Sequence, residues 1–226
     1  LAATSLWGTQ QSNLRGKGKY DGVFGIWYGK GPGVDRAGDA LKHVNLAGTS
    51  KHGGVLALMG DDHICESSTT SHQSEFAMLD AMIPFFNPSG VQEILDYGLY
   101  GFHLSRMSGC WIGIKCVHDN VSSGATVDLD ENRFSIKDID REIFPKEGLN
   151  IRLYDTAQAK EHRLHYKKIE VVKAFCKKNK LNKIIFNSSN PKIGIVSTGK
   201  SYLDTKLALE KIGIDERFAD HIGIKF

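Results

Sequence analysis

Two short apolar runs constrain this chain more than anything else in it. GGVLALMG (53–60) and CWIGIKCV (110–117) are continuous, not alternating. A strand with one wet face alternates, so unbroken runs of this length read as strands buried on both faces of a parallel sheet. Between them, EFAMLDAMIPFF reads as a short helix stopped by Pro84, and SGVQEILDYGLYGFHLSR as a longer one with Ser89 at its N-cap. Strand, helix, strand at this spacing is a βαβ unit. The expected fold class is therefore α/β, with a parallel sheet whose core includes 54–59 and 111–117.

The flanking sequence extends this frame. Residues 1–14 read as a helix, followed by the basic, Gly-rich turn RGKGKYDG. Within FGIWYGKGPGVDR the GKGPG stretch reads as irregular, because Gly and Pro punctuate it. VDRAGDALKHVNLAG reads as a helix with Val34, Leu41 and Val44 on one face. From about Asp130 the texture changes to a charged connecting segment, DENRFSIKDIDREIFPKEGLNIRLYD. AQAKEHRLHYKKIEVVKAFCKKNKL is then a strong helix whose buried stripe is Leu164, Val171, Val172 and Phe175. PKIGIVSTGKSYLDTKLALEKIGI is a fresh strand–turn–helix. The expected division is 1–130, a connector with a helix over 131–189, and the start of a second α/β domain over 190–226. Leu1 in place of Met, an uncapped helix at one end and HIGIKF halting inside a strand at the other make the chain read as an excerpt of a longer polypeptide.

Composition excludes several function classes. At 226 residues the chain can bury a sizeable core without a metal or disulfide staple. A net charge of +3 is too small to make nucleic acid or an anionic membrane the default partner. The four cysteines form no CxxC pair and read as reduced thiols of a cytoplasmic protein. No apolar run approaches the roughly 20 residues of a membrane span, and no signal peptide opens the chain.

The chemistry concentrates in loops. GDDHICESSTTSHQSE (60–75) leaves a core strand and at once presents carboxylates, histidines and hydroxyls. Asp61, Asp62, His63, Cys65 and Glu66 mix hard and soft ligands at no zinc spacing, so no metal site is expected there. Lys160–Lys183 carries nine Lys/Arg against two Glu, but its apolar stripe explains the helix and the cations read as a solvated face. GIVSTGKS (194–201) satisfies the P-loop pattern between a strand and a helix. Ile195 and Val196 are strand types, which leaves only a tight turn at Ser197–Gly199. A nucleotide-binding module and a non-catalytic α/β interaction domain remain the alternatives. GKGPG, with three glycines around a lysine and a proline, lets backbone approach a ligand closely. Both loops flank strands of one sheet and are expected at the same end of it, where ligands gather.

The run YGKGPGVDRAGDALKHVNLAGTSKHGGVLALMGDDHICESSTTSHQSE resembles the pyrimidine-binding domain of the large, fused indolepyruvate ferredoxin oxidoreductases, which are thiamine-diphosphate enzymes. In two-subunit relatives the loop reads approximately ADDPG-x-x-SSQNEQD. This chain keeps Asp61, Asp62, Ser67, Ser68 and a nearby Gln73, and lacks the Pro-Gly pair and the acidic residue after the glutamine. PKIGIVSTGKSYLD resembles the entry to that family's middle domain. The resemblance implies Gly29, Lys30, Gly31, Pro32 and Gly33 beside the cofactor, and the Asp61–Gln73 loop at substrate or a subunit interface. It implies a 2-oxoacid substrate, coenzyme A, ferredoxin and a homo-oligomer. It also implies that Mg²⁺, the diphosphate site, an iron–sulfur cluster and the activating glutamate (just before Leu1) lie outside this sequence, leaving the chain alone inactive.

Overall fold

The apolar run at 54–61 is the axis of the molecule in a computed structural model that describes residues 1–133 and 135–226. Phe134, in the expected connecting segment, lies outside the described residues. The main sheet has four strands: β1 (Phe24–Lys30), β2 (Gly54–Asp61), β3 (Phe85–Phe86) and β4 (Ile112–Val117). Its order is β1-β2-β4-β3 and every pairing is parallel. Both apolar runs are therefore interior strands, as their unbroken hydrophobicity requires.

Helices cover both faces: α1 (Ala2–Gln10), α2 (Gly31–Ala47), α3 (Glu75–Asp80) and α4 (Val91–Ser108), then the single turn α5 (His118–Val121). Val55, Ala57 and Met59 pack under α1, α2 and α3 with Val34, Leu41, Val44 and Met78. Leu56, Ile112 and Ile114 face the other way, against Leu104 of α4. That second layer is completed by a continuous helical stretch: α6 (Ala157–Arg163), a π-helical turn over Leu164–Lys168, and α7 (Ile169–Lys178). Its expected stripe, Leu164, Val171, Val172 and Phe175, is buried there.

Two local expectations are corrected and a third is sharpened. The strand that GKGPG was expected to flank is β1, whose bounds FGIWYGK did not mark because it carries glycines and no continuous apolar run. It is an edge strand with Phe24, Ile26 and Tyr28 exposed and Trp27 buried. The helix expected to reach Pro84 ends at Asp80; Pro84 favours extended backbone before it, and Phe85–Phe86 pairs with β4. Ser89 is not the N-cap of α4: Gly90 holds that position, while the Ser89 N–H and O–H donate to Glu93 Oε2 at 2.7 and 2.8 Å.

At the amino-terminal end of the strands lies a buried polar clasp. Asn45 donates to the carbonyls of Ala81 and Met82 (2.9 and 2.7 Å) and accepts from the Trp111 N–H at 3.1 Å. Thr49 donates from its backbone to Gly109 O (3.1 Å) and from its hydroxyl to Ser105 O (3.0 Å). Lys168 emerges from the π-helical turn, fully buried, and donates to Gly109 O at 3.0 Å and Asn45 O at 3.4 Å.

The residues after α7 form a second, smaller α/β unit. Strands β5 (Ile193–Gly194) and β6 (Ile224–Lys225) pair in parallel, connected through α8 (Lys200–Lys211) and α9 (Glu216–Ile222). Phe186, Leu209, Ile214, Ala219, Ile224 and Phe226 form a small core of their own.

Burial pulls the Lys168 ammonium down from 10.5 to about 8. The unfolded chain then holds more protons than the folded one between those values, so folding stability rises with pH across that window. We expect the wild-type protein to gain up to about 3 kcal/mol relative to Lys168→Met between pH 7 and pH 10.5. Urea unfolding at both pH values measures it; a pH-independent difference between the two proteins contradicts it.

Candidate functional site

The carboxyl ends of β1, β2 and β4 open on one cavity of about 440 Å³. Strand β1 enters α2 with no intervening residue. Lys30 is the extended N-cap, Gly31 the first helical residue, and Pro32 lies in the first turn. GKGPG is thus strand end and helix start, which corrects its expected irregularity. Proline is tolerated in a first turn because its missing N–H has no helical acceptor there.

The loop after β2 is tied down at both stems. Asp61 is buried at the end of β2 and accepts from the Ser74 N–H (3.0 Å) and hydroxyl (2.5 Å). Lys115 of β4 sits 3.8 Å from Asp61 and donates to Glu75 Oε1 at 2.7 Å. Burial pushes the Asp61 carboxyl up against the pull of Ser74 and Lys115. In Glu75 burial acts the same way, but the Lys115 hydrogen bond and its neighbours prevail and hold that carboxyl below its ordinary range. Two carboxylates share one ammonium, and the deeper one keeps its proton more readily.

The loop's tip is pinned to the start of α2. Asp62 accepts from the N–H groups of Ser67 (2.7 Å) and Glu66 (2.9 Å), which lower its pKa. Lys30 Nζ donates to the Ser67 carbonyl and, at 2.7 Å, to the Ser67 hydroxyl, with Asp62 3.8 Å away. His72 lies over Gly31 so closely that a β-carbon there would fall 2.1 Å from the ring, and its Nε2 is 3.6 Å from Asp35.

Gly29, Lys30, Asp61, Asp62 and Ser67 therefore line one cavity, and the two loops lie at the same end of the sheet. Gly31, Pro32, Gly33, Ser68 and Gln73 are outside its lining. Sequence reasoning missed Tyr28 and the residues at the end of β4 and just past it: Cys116 and His118, the latter 3.5 Å from Glu66. The signal was available. In a parallel sheet, the residues following CWIGIKCV reach the same edge as those following GGVLALMG.

The GIVSTGKS segment behaves differently from a P-loop. Pairing ends near Ile195, whose N–H reaches Lys225 O at 2.8 Å, and the turn over 196–199 is longer than expected. The Lys200 amine lies 2.5 Å from Asp204, one turn along its own helix.

Residues 183–226 match a family model described as the indolepyruvate oxidoreductase domain. The chain is 27% identical over 198 residues to the indolepyruvate oxidoreductase subunit IorA of Pyrococcus abyssi, covering 86% of this chain and 30% of that protein. The Pyrococcus horikoshii protein of the same name is 28% identical over the same shares of both chains. That of Thermococcus kodakarensis is 26% identical over 84% of this chain and 31% of its own length. The chain is related to the indolepyruvate oxidoreductases. It spans about 30% of the length of these indolepyruvate oxidoreductase relatives.

If Lys30 pins the loop, its loss should expose the loop to cleavage after Glu66. We expect Lys30→Ala to speed cleavage by glutamyl endopeptidase about two- to fivefold, the effect of losing one exposed charged contact. Gly31→Ala, which drives a β-carbon into His72, should speed it more. Unchanged cleavage rates in both variants contradict the clamp.

Proposed function

We propose that this chain contributes the pyrimidine-facing wall of a thiamine-diphosphate oxidoreductase that decarboxylates aryl 2-oxoacids such as indolepyruvate. One observation carries the reading: Gly29–Lys30 and Asp61–Ser67 converge on one cavity at the carboxyl edge of a parallel sheet. Kinship with the indolepyruvate oxidoreductases supports it. On this reading residues 1–130 are the pyrimidine-binding unit, 131–189 its connector and 190–226 the start of the middle domain.

The donor set suits one half of the cofactor. Tyr28 and Leu58 offer an apolar wall for a flat ring, and Gly29 and Gly60 bring bare backbone beside it. Asp62 and Glu66 supply acceptors for a ring amine and for positive charge. The other half finds little here. Lys30 is the one lysine or arginine in the lining, and Ser67 and Asp62 already engage it. Among the described residues no three His, Cys, Asp or Glu side chains are grouped to hold a metal. We therefore assign the diphosphate, its Mg²⁺ and an iron–sulfur cluster to groups that this chain does not carry.

When bound, thiamine diphosphate supplies the electron sink for loss of CO₂. This chain's own residues bind and shield. Lys30 holds the loop over the cavity, Asp61 with Ser74 fixes the loop's stems, and Asp62 keeps its turn closed. We assign the electrons to ferredoxin and the acyl group to coenzyme A, in a cytoplasmic homo-oligomer.

The test is amide NMR with thiamine and with thiamine diphosphate–Mg²⁺, alongside an assay with indolepyruvate and an electron acceptor. The expected result is weak, fast-exchange shifts confined to Tyr28–Gly33, Gly60–Ser74 and Cys116–Ser122, with no turnover by this chain alone. Shifts elsewhere, or none, would remove the assignment of this wall. Turnover by the purified chain would remove the assignment of the catalytic groups to other parts.

A further inference from the structure

A second cleft, of about 460 Å³, lies between the two units, away from the site above. One wall is the segment before α4 and its first turns, with Asn87, Glu93 and Tyr97. The opposite wall is the turn Gly194–Gly199 with Tyr202 and the end of β6, and the segment 181–185 closes the base. The cleft sits at the carboxyl ends of the parallel strands β5 and β6, the edge at which α/β sheets bind ligands. Its volume falls in the range of small-molecule sites.

The lining has a consistent chemistry. Three rings, Tyr97, Tyr202 and Phe226, give flat apolar surface. Lys183 and Lys225 bring two ammonium groups, and neither has an acidic partner within 4.0 Å among the described residues. Glu93 opposes them, but its Oε2 is occupied by the Ser89 N–H and hydroxyl. Ser197 lies in the cleft wall, and its hydroxyl oxygen is cut off from solvent with no hydrogen-bond partner among the described residues. A buried, unmet hydroxyl costs on the order of 1–3 kcal/mol, which a partner reached by rotation about χ1 into the cleft would recover. Beside it, Gly199 adopts φ +59° and passes so near Asn87 that a β-carbon would fall 2.4 Å from the Asn87 side chain. That close approach holds the turn against the opposite wall of the cleft.

We propose that this cleft binds a nucleoside phosphate, with the phosphate between Ser197, Lys183 and Lys225 and the base against the tyrosine rings. It is not a P-loop, because Lys200 turns along its own helix to Asp204. The site uses a different pair of lysines, drawn from the connector and from β6.

The experiment is calorimetric titration of the chain with ADP, and separately with inorganic pyrophosphate and with adenosine. ADP should bind saturably and pyrophosphate should compete, while adenosine alone should bind at least about tenfold more weakly than ADP. Lys183→Gln/Lys225→Gln should weaken ADP at least about tenfold, the loss of two charged contacts. Ser197→Ala should also weaken it, and Lys200→Ala should not. Lys183 is exposed and Lys225 half-buried, and the thermal midpoint of each variant reports that it folds. Absence of saturable ADP binding to the wild-type chain overturns the proposal. So does equal binding by the folded double variant, adenosine binding as tightly as ADP, or loss of binding on Lys200→Ala.

Discussion

The carbonyl of Gly109 is the point on which this architecture hangs. It accepts the Thr49 N–H from the segment after α2 and the Lys168 ammonium from the outer helical layer. Gly109 itself closes α4 in a left-handed conformation (φ 71°), and a β-carbon there would fall 2.6 Å from Leu149 O. Only glycine can end the helix and let the connector pass so close. An ammonium so deeply buried is costly, and apolar substitution at such sites is often neutral. Its geometry points to specificity: Lys168 has two carbonyls to reach, and reaching both fixes how the α6–α7 layer docks on the sheet.

The sheet's two ends are built from different materials. At the amino end, the Lys168 ammonium apart, neutral amides and hydroxyls are satisfied in the dry interior: Gln10, Asn45, Thr49 and Ser105 each meet backbone partners. At the carboxyl end the groups are charged and partly wet, and their balance is uneven. Asp61 and Glu75 divide the single Lys115 ammonium, while Lys30 is shared between a hydroxyl, a carbonyl and Asp62. Neutral pairing favours one fixed packing, whereas charge held in excess at a cavity mouth favours binding and proton exchange.

How much of this was legible follows from what kind of pattern each part writes. β2 and β4 were readable because burial on both faces leaves an unbroken apolar run. β1 was marked only by the loop it flanks, because an edge strand can expose Phe24, Ile26 and Tyr28 and so writes no unbroken apolar run. The stripe of the α6–α7 stretch was legible from its period, yet Lys168 in its π-helical turn was not, since a buried lysine looks like any surface lysine until its carbonyl partners are known. In the candidate site, Asp61, Asp62 and Ser67 stood out by clustering. Lys115 and His118 arrive from β4 and the turn after it, and only the parallel topology brings them in.

The absence of any residue between β1 and α2 has a mechanical consequence. Lys30 ends the strand and Gly31 begins the helix, so the cavity rim and the helix are one rigid piece. Asn45 sits fourteen residues further along that helix, about 21 Å away at 1.5 Å per residue, inside the polar clasp. A rod anchored so firmly at its far end cannot slide, and it can tilt only about that anchor. Whatever pulls on the Lys30 end works against a lever whose fulcrum is the buried amide of Asn45.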